Sequence, residues 1–91
     1  DTCHAWAGGI EMPEAAEQIR AITGRIDLVH ANDSQGGFDS GRDRHANFGD
    51  GTIAVDALVE CIRAADASVI CETPFPGIKV DIELLRERIG P

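Results

Sequence analysis

Six side chains with metal-ligand chemistry fall in short clusters along the chain. Asp1 and His4 stand in DTCH, His30 in LVHANDS, Asp43 and His45 in RDRH, and Glu72 in ICETP. Imidazole and carboxylate together make borderline N/O sites that suit zinc, manganese or iron. A metal is also the usual means of keeping a strand-end glutamate ionised away from water. Taken singly, each residue has a plainer role. A strand-end histidine more often bonds backbone, Asp43 and His45 suit a turn, and Glu72 before Thr73-Pro74 suits a loop cap. Their common placement and the presence of both ligand types favour a metal centre, without naming a reaction.

The elements that must position these residues follow an α/β rhythm. Residues 25–31 (RIDLVHA) and 67–71 (ASVIC) are short and rich in apolar or β-branched residues, as fully buried parallel strands are. Residues 13–23 read as a helix opening on a proline and ending at Gly24. Residues 55–65 place Val55, Leu58, Val59 and Ile62 at helical spacing, and residues 80–89 do the same with Ile82, Leu85 and Ile89. The order helix, strand, helix, strand, helix predicts a parallel sheet with right-handed crossovers. In such sheets active sites are built at the C-terminal ends of the strands, and all six candidates are expected at that edge or in the loops following it. The polar, Gly-rich connection of residues 32–52 breaks the rhythm; a loop of that length is usually functional or disordered. Two strands shield neither each other's faces nor their edges. The rhythm therefore predicts the end of a larger sheet, since a whole (β/α)8 barrel takes roughly 250 residues. The opening on Asp1, without an initiator methionine, fits the same expectation.

Composition narrows the setting. Asp and Glu total 16 against 8 Lys and Arg, a net charge of −8, which by itself argues against a polyanionic partner. Dications held by the carboxylates would reverse that sign locally. The three cysteines, Cys3, Cys61 and Cys71, have no framework spacing and no C-x-x-C, which excludes a zinc ribbon. Cys61 and Cys71 read as small buried hydrophobes, and reduced thiols in a cytoplasmic protein are expected. No stretch is long and apolar enough for a membrane span or a signal peptide, so no membrane partner is expected.

The motifs DTCH-A-x-A-G-G, H-x-N-D-S followed by S-G-R-D-R-H-x-N-x-G-x-G-x-I, and I-x-E-T-P together resemble the C-terminal motifs of the endonuclease IV family (family-2 AP endonucleases). They occur in the family's order across nearly the whole chain. The resemblance implies that residues 1–91 are the C-terminal part of a single TIM-barrel domain, an incomplete barrel running from the end of strand six to helix eight. It implies zinc as cofactor, up to three ions. His4, Asp43 and His45 would hold one; Asp1, His30 and Glu72 would serve a second, with a bridging glutamate and the third site upstream. The implied reaction is hydrolysis of the DNA phosphodiester 5′ to abasic sites, leaving a 3′-hydroxyl, in base-excision repair. Implied partners are double-stranded DNA with abasic sites and the N-terminal part of the barrel, without which the chain is expected to be inactive.

Residues 36–45 match a DNA-contacting loop of the family, giving Gly41, Arg42 and Arg44 as DNA-binding positions. Arg44 has a second reading as partner of an aspartate ligand. Asn32 and Ser34 stand where they could orient ligands, and Gly49 and Gly51 where the family has a tight turn. The chain departs from the family at Gln35, where a lysine is usual, at Asp39, where glycine is usual, and at Gly41, which replaces a frequent Arg or Lys. These changes make the DNA-facing loop less positive. The alternative reading is a xylose isomerase-like, metal-dependent sugar isomerase or epimerase, which shares the barrel but lacks the D-R-H element. A third is a non-enzymatic metal-binding or assembly module.

Overall fold

The computed structural model describes residues 1–90. In chain order the elements are α1 (Thr2–Ala7), α2 (Ala15–Thr23), β1 (Leu28–Ala31), β2 (Asp33–Ser34), β3 (His45–Ala46), α3 (Val55–Ala65), β4 (Ser68–Cys71) and α4 (Ile78–Ile89). β1 and β4 pair in parallel, from Leu28 opposite Ser68 to Ala31 opposite Cys71. β2 and β3 form a separate antiparallel ladder, with Asp33 opposite Ala46 and Ser34 opposite His45.

The apolar stripe of α3 makes the core. Leu58, Val59 and Ile62 are almost fully buried, and Val29, Ala31, Met12, Ala15, Ala16 and Leu85 close around them. Helix α2 stops at Gly24, whose N–H still bonds the Arg20 carbonyl and whose left-handed φ of 83° turns the chain out of the helix. Arg20 in turn donates to the carbonyls of Ala64 and Ala65, both at 2.9 Å, so that one guanidinium satisfies the end of α3.

Three expectations need correcting. The strands are not fully buried: β1 alternates, and Ser68, Val69 and Ile70 of β4 are exposed. The reason is geometric. Each strand has one neighbour in the sheet; the helices bury the Val29–Ala31 face of β1 and leave both faces of β4 partly open. DTCH contributes no strand tail, because the Asp1 carboxylate accepts the His4 N–H at 3.0 Å and starts α1. His4 therefore lies in the first turn of a helix rather than at a strand end or in the loop after one, while His45, in β3, lies within the connection that follows β1, as expected.

The long connection is ordered rather than free. The buried Asp33 carboxylate accepts four backbone N–H groups, from Ser34 at 2.7 Å, Ile53 at 3.0 Å, and Gly49 and Gly51 at 3.1 Å each. Gly51 must be glycine, since a Cβ would meet Ser34 O at 2.3 Å and the Asp33 carboxylate at 2.4 Å. The outer part of the loop is fastened to α1 by Asp39 N–H to Trp6 O (2.9 Å) and Gly41 N–H to Ala7 O (2.8 Å). Asp39 takes a φ of 59°, a conformation that costs a side-chain-bearing residue but suits glycine.

Candidate metal centre

Four separate segments deliver the six candidate ligands: the start of α1, the end of β1, the β3 hairpin and the end of β4. Donor atoms of five of them, with that of Cys3, gather into two groups, each within 4.8 Å internally. One holds Asp1, Cys3, Asp43 and His45; the other holds Asp1, His30 and Glu72. Asp1 belongs to both. His4 is not a member of either group, but its Nδ1 lies 3.0 Å from Asp43 Oδ2. His30 Nδ1 lies 2.8 Å from Glu72 Oε1.

His45 shows most clearly what the arrangement suits. Its Nδ1 is 3.1 Å from the Glu72 carbonyl, and a carbonyl only accepts, so Nδ1 carries the proton. In the neutral ring, Nε2 then presents a lone pair 3.2 Å from Asp1 Oδ2. Two acceptors facing one another call for a cation, either a proton or a metal ion shared with the carboxylate. A ring fixed through Nδ1–H by a backbone carbonyl is also the common way of orienting a histidine ligand. The oxygen and nitrogen donors fit zinc.

The electrostatics agree. The hydrogen bond from His4 holds the Asp43 carboxyl below the ordinary carboxylate range, outweighing the opposing effect of burial. Cys3, which the sequence reading did not assign, is buried against this group. Burial chiefly pushes its thiol up, so it is a neutral donor, with Sγ 3.4 Å from the Arg44 carbonyl.

Arg42 and Arg44 are exposed, and neither forms an ion pair among the described residues. Arg42 reaches Gln35 Oε1 at 3.4 Å, while Arg44 contributes its backbone to Cys3 and Gln35. The second reading of Arg44, as partner of an aspartate ligand, finds no such contact among the described residues. Gly41 has a φ of 71° and open space around it.

Sequence reasoning missed two buried carboxylates. Asp33 holds the connection described above. Asp81 accepts from Asn47 Nδ2 at 2.8 Å, Phe48 N–H at 3.0 Å and the Thr73 hydroxyl, tying the β3 loop to the segment after Glu72. The available signal was positional: Asp33 stands three residues after His30 at the head of a Gly-rich stretch, and Asp81 stands nine residues after Glu72 in the first turn of the following helix.

Comparison with known proteins places this geometry in a family. The model of the xylose isomerase-like TIM barrel family matches residues 1–88. A protein named probable endonuclease 4 from Mycobacterium bovis (strain BCG / Pasteur 1173P2) is 59% identical over 90 residues, covering 99% of this chain and 36% of that protein. Its namesake in Mycobacterium tuberculosis (strain ATCC 25177 / H37Ra) gives the same figures. That of Mycobacterium leprae (strain Br4923) is 56% identical over 88 residues, covering 97% of this chain and 35% of that protein. The chain thus spans about a third of the length of the curated relatives it matches.

Proposed function

The chain belongs to the xylose isomerase-like TIM barrel family, and on that premise we propose that it is the C-terminal portion of a zinc-dependent endonuclease acting on DNA at abasic sites. The observation that carries this reading is the convergence of ligand-type side chains from four segments into two groups joined at Asp1. The similarity to proteins named probable endonuclease 4 favours the nuclease over the sugar isomerase. Asp43 and His45, the D-R-H element that separates the two readings in sequence, are both in the first group.

In this proposal Asp1, His30 and Glu72 hold one zinc, and Asp43 and His45, with His4, hold another. Bound zinc supplies a nucleophile at neutral pH and charge for the phosphate oxygens. The protein's own residues do the rest. His4 bonds Asp43 and holds its carboxyl further below the ordinary value, and His45 keeps its lone pair directed at the site because Glu72 O fixes its other nitrogen. Arg42 and Arg44, free of acidic partners among the described residues, take DNA phosphates. The 36–45 loop that carries them, with Gly41 allowing close backbone approach, lies along the substrate while the damaged nucleotide leaves the stack. Cleavage falls 5′ to the abasic site and leaves a 3′-hydroxyl, as base-excision repair requires. The exposed apolar residues Leu28, Val69 and Ile70 of the two parallel strands suit cover by the remaining strands and helices of a barrel.

The test is incision of a 5′-labelled duplex carrying one abasic site, by the protein at the length the cell makes it. The expected product is a single nick whose 3′ end a polymerase extends. It should disappear with a chelator and in a His45→Ala variant. Cleavage indifferent to both, or isomerisation of a sugar with no nicking, overturns the proposal.

A further inference from the structure

The carboxylate shared by both ligand groups is also contacted by a residue that is in neither. Asp1 Oδ1 is committed to the His4 N–H, so Oδ2 is the oxygen left to serve a metal. Two groups compete for Oδ2: His45 Nε2 at 3.2 Å and the Asn32 side-chain amide, whose Nδ2 lies at 3.5 Å. The other end of the same amide accepts the Glu72 N–H at 2.9 Å. Asn32 is fully buried, and its backbone is itself clamped. Its N–H donates to Thr2 Oγ1 at 2.8 Å, and the Thr2 hydroxyl donates back to Asn32 O at 2.6 Å. Asn32 lies two residues beyond His30 at the end of β1. One planar side chain therefore spans the loops that carry Asp1, His30 and Glu72.

We propose that Asn32 is a positioning residue that assigns Asp1 to the His30–Glu72 group. This rests on the metal-centre reading above and adds how its two halves divide the carboxylate they share. A side-chain amide has a fixed donor–acceptor separation, so pinning Glu72 N at one end sets where Asp1 Oδ2 must lie at the other. Without the amide, Asp1 keeps its bond to His4 N–H and its contact with His45, and loses the pull toward Glu72. The two ligand groups then respond in opposite ways to one substitution. A general loosening of the fold does not do this.

Zinc titration of the protein at the length the cell makes it, followed by the 15N imidazole shifts of each histidine, separates the cases. In Asn32→Ala the zinc midpoint at His30 should weaken about 10–100-fold, the range known for loss of a ligand-orienting partner. The midpoint at His45 should move by less than about threefold, or tighten. Thr2→Val, which leaves the amide in place but removes the clamp on its backbone, should give the same pattern at smaller size. It also serves if Asn32→Ala loses its native circular dichroism. Equal weakening at both histidines in Thr2→Val, or no change at His30 in either variant, overturns the role of Asn32 while leaving the metal centre standing. Absence of zinc shifts at every histidine in the unsubstituted protein overturns both.

Discussion

Replacing Asp33 by asparagine should unfold the site-bearing loop before it touches any ligand. The carboxylate is fully buried, and each oxygen accepts two backbone N–H groups: Oδ1 those of Ser34 and Ile53, Oδ2 those of Gly49 and Gly51. Asparagine keeps one carbonyl oxygen for one of these pairs. Its NH2 group then confronts the other pair, donor against donor. Hydrogen bonds to a charged acceptor are worth about 1.5–3 kcal/mol each, and a buried donor left unmet costs about 1–3 kcal/mol. The Gly49 and Gly51 donors are only partly buried and can turn to water, which limits the loss. A cost of about 2–4 kcal/mol follows, a large share of the ~5–15 kcal/mol that holds a typical domain. Urea unfolding should show it as a midpoint lower by roughly 1–3 M, at slopes of about 1–3 kcal/mol/M. Amide exchange should accelerate at Gly49, Gly51 and Ile53 first. Asp50→Asn is the control: it lies in the same loop, is exposed, and should stay within about 0.5 kcal/mol of the parent. A midpoint for Asp33→Asn as close to the parent as the control's refutes the reasoning that this carboxylate orders the loop.

Further outcomes are expected elsewhere in the molecule. Burial pushes the Cys71 thiol up to about 11, so at pH 8 only about one molecule in a thousand carries the thiolate; alkylation by iodoacetamide should run roughly a hundredfold slower than for a free cysteine. The Asp43 carboxyl is held below its ordinary value of 3.8 chiefly by His4. Its folded-state pKa is depressed, so the His4–Asp43 contribution is fully present above that ordinary value and is lost as pH falls through the lower, folded one. The 13C carboxyl titration of Asp43 should show the lowered midpoint, and His4→Ala should return it upward. Trp6 is the sole tryptophan, packed edge-on to Phe38 at 4.9 Å and 71°. Phe38→Ala should shift its emission to the red and cost about 0.5–1 kcal/mol, the lower part of the range for aromatic pairs, because Phe38 is 40% exposed.

The sequence made some of this architecture legible because local and tertiary signals agreed. In α3 the apolar positions recur at helical spacing on a face that is buried, and residues 55–65 are helical as expected. The strand readings ran long. Residues 25–27 and Ala67 look like strand by composition but have no partner in the β1–β4 ladder, and pairing is a tertiary event. Helix α1 escaped notice because six residues are too few to show periodicity; its start depends on one cap bond from Asp1.

At the site, residue types and their expected placement at strand ends or in the loops that follow were the signal for the candidates. Their partners were not visible. Nothing local says that His4 meets Asp43 across 39 residues, or that His45 meets Asp1 across 44. Asp33 and Asp81 were passed over for the same reason. Asp33 in a polar loop looks like a turn residue until the chain brings four backbone donors to it, and Asp81 in the first turn of α4 looks like an ordinary helix-start acid until Asn47, Phe48 and Thr73 reach it.

Whether these side chains hold metal decides the proposed function. Elemental analysis of the protein at the length the cell makes it, after exhaustive dialysis, measures this directly. At least one tightly held zinc per chain, reduced in His45→Ala and in His4→Ala, is the predicted result. A protein that retains no metal after dialysis, or zinc content unchanged by both substitutions, contradicts the account.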